Sequence, residues 1–222
     1  MEENKRFAVV PAGRRSGKTE LAKRRLVMGL AAKKPWADPR YFAAAPTRGQ
    51  AKRIFWKDLK AMVPDGWKAR VYETDLCIVT RFKSELWVVG LDKPQRIEGT
   101  PWDGGVLDEY ANMRAGAWGE NIRPALSDRA GWCWFIGVPE GLNHYKDLVD
   151  YALTGEDQDW GVYSWSSSDI LPAPELEAAK RVLDPRTFRQ EYEGSFEGAC
   201  GRAYYAYDPR RHEDAAIEID PG

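Results

Sequence analysis

Cysteine and histidine are scarce in this chain, and long apolar runs are missing. Cys77, Cys133 and Cys200 stand far apart and form no Cys-x-x-Cys pair, and only His144 and His212 could join them around a metal. That pattern argues against a zinc site and reads as buried, reduced thiols in a reducing compartment. The opening MEENKRFAVV has no apolar core of the signal-peptide kind. No apolar stretch approaches the length a membrane-spanning helix needs. Net charge is also nearly absent: 33 Lys and Arg face 34 Asp and Glu, giving −1 over 222 residues. A surface for polyanions must therefore be a local patch.

Such patches are present. Between Gly13 and Lys34 the bases Arg14, Arg15, Lys18, Lys23, Arg24, Arg25, Lys33 and Lys34 face Glu20 alone. Between Arg40 and Lys60 the bases Arg40, Arg48, Lys52, Arg53, Lys57 and Lys60 face only Asp58, and the chain after Tyr207 is acidic. Charge is thus segregated along the chain. A hydrophobic content of 43% supports a packed core, and most of the 10 Trp are assigned to packing.

The periodicity predicts strands at Phe7–Pro11, Tyr41–Ala45, Val106–Leu107, Trp132–Val138 and Trp160–Trp165. Antiparallel strands are expected at Val71–Glu73, Leu76–Phe82 and Glu85–Gly90. Helices are expected over 18–33, 50–62, 118–126, 144–153, 175–183 and 186–192. Strands alternating with helices mean an α/β fold with a mainly parallel central sheet flanked by helices.

Four stretches carry chemistry. The first is Ala12-Gly13-Arg14-Arg15-Ser16-Gly17-Lys18-Thr19, between a strand and a helix. It fits Ala/Gly-x4-Gly-Lys-Ser/Thr, a pattern that arises by accident in roughly one or two chains of this length in a hundred. In that context the backbone N–H groups of residues 13–19 turn inward and cradle phosphates, Lys18 reaches the β- and γ-phosphates, and Thr19 holds Mg²⁺. The bland alternative is a basic turn. The second is GGVLDEYANM, where a short strand ends in Asp108-Glu109. There one carboxylate can hold Mg²⁺ and the next can polarise the attacking water; alone, the pair is a weak signal and reads by default as a capping pair. The third is WFIGVPEG, a buried strand running into Gly137-Val138-Pro139, which by itself is an ordinary strand-to-loop turn. The fourth is AAPTRGQAKRIFWKDL, a strand end followed by a basic helix. That helix is either a solvated amphipathic surface or a track for a nucleic-acid backbone.

In this order the four stretches resemble the ATPase domain of the large terminase subunit of tailed bacteriophages. PQRIEGTPWDGG, before Asp108, and FRQEYEGSF, Phe188 to Phe196, extend the resemblance over about residues 7–196. The resemblance implies a P-loop NTPase fold with a small C-terminal lid subdomain. It implies an ATP- and Mg²⁺-dependent motor that drives double-stranded DNA into a procapsid. The implied partners are the portal protein, the small terminase subunit and further copies in a ring. The implied location is the host cytoplasm, docked transiently on the procapsid, with no membrane contact. It assigns Lys18 and Thr19 to nucleotide and metal, Asp108 to Mg²⁺, and Glu109 to the water. Arg14 and Arg15 become sensors of the γ-phosphate, and Arg96 an arginine supplied to a neighbour's site. Gly137, Val138 and Pro139 become a coupling motif. Two positions depart from the family pattern: Val138 replaces a hydroxyl residue, and Glu98 stands where a second base is expected.

The expected organisation is an ATPase domain over residues 1–195, with a lid and closing segment over about 140–195. Residues 196–222 are expected to be a linker towards a nuclease domain absent from this chain, so nuclease activity is not expected. A helicase-like translocase and a non-catalytic, nucleotide-dependent scaffold are the competing functions.

Overall fold

The computed structural model describes residues 5–197. Cys200, His212, the acidic tail and nearly all of the expected linker lie outside the described residues. Eight strands form one mixed sheet: β1 (Phe7–Pro11), β2 (Arg40–Ala45), β3 (Lys68–Tyr72), β4 (Cys77–Thr80), β5 (Glu85–Gly90), β6 (Gly104–Asp108), β7 (Trp132–Gly137) and β8 (Trp160–Val162). Their order across the sheet is β3-β4-β5-β2-β6-β7-β1-β8. From β5 to β8 every neighbouring pair is parallel, and β3 and β4 extend the sheet by antiparallel pairing. The C-terminal ends of the six parallel strands therefore open on one edge, where ligands bind in such sheets.

β1 and β6 are buried along their whole length, because both faces of a central parallel strand are covered. One face packs Ala8, Val10, Ala43 and Ala45 against Leu26 and Leu30 of helix α1 (Lys18–Leu30) and against Phe55 and Leu59. The small side chains let the helices lie close to the sheet. The other face is aromatic, with Phe7, Phe42, Phe135, Tyr145 and Trp160 packed together. Phe135 and Trp160 stack at 5.5 Å, and Trp118 meets Phe135 edge-on at 4.7 Å. Trp87, Trp102, Trp118 and Trp160 pack on this face and Trp56, Trp67, Trp132, Trp134 and Trp165 on the other, so packing accounts for most of the 10 Trp.

Several element boundaries move for identifiable reasons. β3 covers Lys68–Tyr72 rather than 71–73: it is an edge strand with mostly exposed side chains, so it carries no apolar signal. β5 is antiparallel only to β4; its other partner, β2, is parallel. β4 stops at Thr80, where Lys83 takes a positive φ of 69° in the turn. β8 ends at Val162 because Trp165 leaves the sheet and its ring N–H donates to the Ser16 carbonyl at 2.7 Å. The basic helix begins at Arg48, two residues early, because Thr47 and Gln50 form a capping box. It continues through a π-helical stretch, Lys52–Trp56, to Met62. α1 ends at Leu30, three residues before the expected Lys33. Later helices cover His144–Leu153, Ala173–Val182 and Pro185–Phe188, the last continued by a π-helical turn over Arg189–Glu193.

The N-terminal edge of the sheet is tied by one buried carboxylate. Asp103 has no exposed surface, and accepts hydrogen bonds from Trp36 Nε1 at 2.9 Å, Arg40 N at 2.8 Å and Arg129 Nη1 at 2.9 Å. Arg129 also stacks over the Trp36 ring and pairs with Asp38. Cys77 and Cys133 are buried free thiols, and burial pushes the Cys77 thiol up to about 12.

Asp103→Ala leaves the Arg129 guanidinium buried without its main counter-charge. It is expected to lower stability by about 3–5 kcal/mol, read as a fall in Tm, with a smaller loss for Asp103→Asn. An unchanged Tm in Asp103→Ala would show that the cluster contributes nothing to holding the edge.

Candidate active site

The site forms where β1, β7 and β6 end side by side. β7 lies between the other two, so the loop after β1 and the carboxylates after β6 are two strand spacings apart, about 10 Å. α1 bridges that gap. Its first turn starts directly from the loop, after Gly17 at φ 80°, a backbone conformation that favours glycine. Thr19 Oγ1 donates to Asp108 Oδ2 at 3.1 Å. Lys18 Nζ folds back to donate to the Gly13 carbonyl at 3.1 Å. The backbone N–H groups of Arg15, Ser16, Gly17 and Lys18 have no acceptor among the described residues. The Ser16 hydroxyl is buried without a partner as well. A row of unpaired donors at the start of a helix is an anion cradle.

The electrostatics point the same way. Lys18 and Asp108 are 7% and 2% exposed. Burial pulls the Lys18 ammonium below its ordinary range, although Asp108 and Glu109 draw it back up. Burial pushes the Asp108 carboxyl up to about 6, and the neighbouring Glu109 adds to the rise. Both groups move towards neutrality, so desolvation outweighs their mutual attraction. Each group therefore leaves the other's charge incompletely compensated.

Glu109 follows in a left-handed conformation, φ 56° and ψ 43°, with its N–H donating to Asp108 Oδ1 at 2.9 Å. That backbone costs a non-glycine residue on the order of 1–2 kcal/mol. β7 delivers Gly137, whose carbonyl accepts from Ala12 N at 3.3 Å, and then Val138, which is buried.

Arg14 and Arg15 differ. Arg15 is exposed at φ 56° and makes no ion pair among the described residues. Arg14 is paired with Glu191, which raises the Arg14 pKa further, chiefly through the hydrogen bond. Around that pair, residues 165–167 and 191–194 lie against the loop. Ser167 Oγ donates to the Arg14 carbonyl at 2.6 Å and Ser166 Oγ to the Tyr192 carbonyl at 3.2 Å. A Cβ on Gly13 would overlap both the Tyr192 carbonyl and the Ser167 hydroxyl, so glycine is required there. Sequence periodicity gives no sign of Trp165 or Ser167 at this loop; their contacts cross about 150 residues of chain.

Arg96 is not brought to this site. It sits in the turn Pro94–Ile97 after β5, where Nη1 lies 3.3 Å from Asp92 Oδ1. β5 is four strand spacings from β1, about 19 Å. Arg96 instead borders a cleft of about 660 Å³ with Arg40, Arg48, Trp87 and Trp102. Glu98 does not pair with Arg96, because it accepts from the Asn121 side chain.

The family profile "Terminase large subunit, T4likevirus-type, N-terminal" matches residues 10–208. The chain belongs to the large terminase subunit family. It is 26% identical over 218 residues to the terminase large subunit of Thermus virus P23-45, covering 83% of this chain and 44% of that one. It is 27% identical over 118 residues to that of Escherichia phage T5, covering 51% and 27%. This terminase chain thus spans less than half the length of those relatives. Its fold matches the large terminase ATPase domain of Thermus phage P74-26 (TM-score 0.74, 23% identity, 88% of this chain and 90% of that one). It also matches the large terminase of another thermophilic bacteriophage in complex with ADP (TM-score 0.75, 21% identity, 94% and 52%). The P-loop NTPase-like sheet expected for the family is present.

The raised Asp108 pKa sets a sign for stability. Between pH 4 and 6 or so the native terminase domain keeps a proton that the unfolded chain has released, so stability falls as pH rises through that window. Asp108→Asn is expected to raise the Tm of the nucleotide-free protein by roughly 5 °C at pH 7.5, with the gain gone near pH 4. A lower Tm for Asp108→Asn at pH 7.5 would mean that Lys18 more than compensates the buried charge.

Proposed function

We propose that this chain is the ATP-hydrolysing motor part of a viral DNA-packaging terminase, acting on double-stranded DNA. The observation that carries the reading is the row of unpaired loop N–H groups beside Lys18, Thr19, Asp108 and Glu109. The loop amides of residues 13–19 and the Lys18 ammonium bind the triphosphate. Thr19 and Asp108 present two hard oxygen donors, and the Asp108 carboxylate lacks counter-charge, which suits Mg²⁺. When bound, Mg²⁺ would neutralise charge on the β- and γ-phosphates. Glu109 accepts a proton from the attacking water, held in line by its left-handed turn. Arg14, and Arg15 beside it, read the γ-phosphate. Arg14 must leave Glu191 to do so, which ties residues 165–194 to the nucleotide state as a lid. Gly137, Val138 and Pro139 couple β7 to the loop through the Gly137 carbonyl rather than through a hydroxyl.

Arg96, in the turn beyond β5, lies on the far side of β2 from the site, and among the described residues its ion pair is with Asp92 rather than with Asp108 or Glu109. It is assigned to the neighbouring subunit of a homo-oligomeric ring docked on the portal protein, with the small terminase subunit as a further partner. The ATPase unit runs through residue 195. β8 belongs to the central sheet, so the lid proper is the segment after it. No helix of the described residues is long and apolar enough to cross a membrane, in keeping with action in the host cytoplasm.

Lys18→Ala is expected to abolish ATP binding and turnover. Glu109→Gln should keep Mg-ATP bound while losing most hydrolysis, because the side chain keeps its size and loses its charge. Phosphate release and binding of a fluorescent ATP analogue measure the two. Wild-type turnover in Glu109→Gln removes its assigned role.

The exposed Lys52, Arg53 and Lys57 on the 48–62 helix offer phosphate contacts without base reading. Duplex binding should be blind to sequence and weaken with salt. The double variant Lys52→Ala, Lys57→Ala should flatten the slope of log K against log salt by roughly 2. A salt-independent, sequence-specific affinity would place the chain in a different functional class.

A further inference from the structure

The turn that carries Glu109 is gripped at several points by the stretch that follows β7. His144 Nε2 lies 3.0 Å from the Tyr110 carbonyl oxygen. A carbonyl can only accept, so Nε2 carries the hydrogen. The Asn143 side-chain N–H donates to the Ala111 carbonyl at 3.3 Å, while Asn143 Oδ1 caps the following helix at Tyr145 N, 3.0 Å away. Asn112 Nδ2 donates to Glu140 Oε1 at 3.0 Å. Gly137 closes the same contact from the strand end: a Cβ there would meet Tyr110 N at 3.3 Å and Glu109 Cα at 3.6 Å. The Tyr110 ring is packed edge-on against Phe135, His144 and Tyr145.

These grips answer a local problem. Glu109 holds a left-handed backbone that an L residue leaves when nothing restrains it. Within the turn only two backbone bonds help, Asn112 N to Glu109 O at 2.9 Å and Met113 N to Tyr110 O at 3.0 Å. A peptide plane with its carbonyl tied to a fixed donor cannot rotate, and the planes after Glu109 set the direction in which its side chain leaves the backbone. We propose that His144 and Asn143 are positioning residues that clasp the Tyr110 and Ala111 carbonyls and so keep the Glu109 carboxylate aimed at the attacking water. The same stretch reaches the phosphate loop, where the Gly137 carbonyl accepts from Ala12 N. Residues 137–144 therefore touch both halves of the site, and a shift of the loop is carried to Glu109 through the clasp. This rests on the role given to Glu109 above.

The test uses the 222-residue chain and the variants His144→Ala, His144→Gln and Asn143→Ala. Amide hydrogen exchange at Asn112 and Met113 reads the turn directly, without nucleotide. His144→Ala should speed exchange there about tenfold, and His144→Gln, whose side-chain amide can still donate, should restore most of the protection. With ATP, His144→Ala should lower kcat at least about tenfold while changing nucleotide affinity less than about twofold. Added to Glu109→Gln, His144→Ala should cost nothing further, because it acts through Glu109. A residue needed only to cap the helix would add its loss in both backgrounds. Unchanged exchange at Asn112 and Met113, or a further loss in the Glu109→Gln background, overturns the clasp. Lys18→Ala judges the ATPase reading separately: if it turns over like the wild type, that reading falls, while the exchange measurement still decides the clasp.

Discussion

Lys18 and Asp108 are both buried at the open edge of a parallel sheet, and neither is satisfied by the other. Desolvation acts on each more strongly than their attraction does, so the ammonium is drawn down and the carboxyl up. Around them stand unpaired loop N–H groups and the partnerless Ser16 hydroxyl. Burying these two charges without full compensation is costly, and the nucleotide of the proposed reading would offset that cost. Much of the architecture follows from carrying that cost. β1 and β6 are fully buried strands, α1 is pressed to the sheet over a face of alanines, and the aromatic packing on the opposite face stiffens the sheet from behind.

Residues far along the chain also come to the loop. Glu191 takes Arg14, Ser167 takes the Arg14 carbonyl, and the Trp165 ring N–H takes the Ser16 carbonyl. The Gly13 N–H points to the Trp165 carbonyl and the Arg14 N–H to the Glu191 carbonyl. Part of the donor set that a phosphate would use is thus occupied by the protein itself. A ligand that takes Arg14 would have to displace Glu191 from it.

The two sides of the sheet divide the work. The β1, β7 and β6 ends build the phosphate and carboxylate site, while β2 and β5 carry the basic helix and the Arg96 turn away from it. Arg96 borders its cleft together with Arg40 and Arg48. Asp103 fastens the opposite edge, so that changes at the C-terminal edge act against a fixed base.

Local signals suffice for much of this. Phe7–Pro11 running into Gly-Lys-Thr and a helix, the Asp108-Glu109 strand end, and the alternation of strands with helices are all legible, because each rests on neighbours within a few residues. The exposed edge strand β3 is displaced from its expected place, since solvent on most of its side chains erases the apolar pattern. The parallel pairing of β5 with β2 is not legible, because strand direction depends on a crossover, not on the strand's own residues. The sequence by itself determined which residue types could bind phosphate, hold a cation and activate water, because that chemistry lies in the side chains and their spacing. Only the tertiary structure decided that Glu191 meets Arg14, that His144 and Asn143 grip the Glu109 turn, and that Arg96 stands four strands away. Those relations are made by hydrogen bonds and strand order between segments distant along the chain, and no local pattern encodes them.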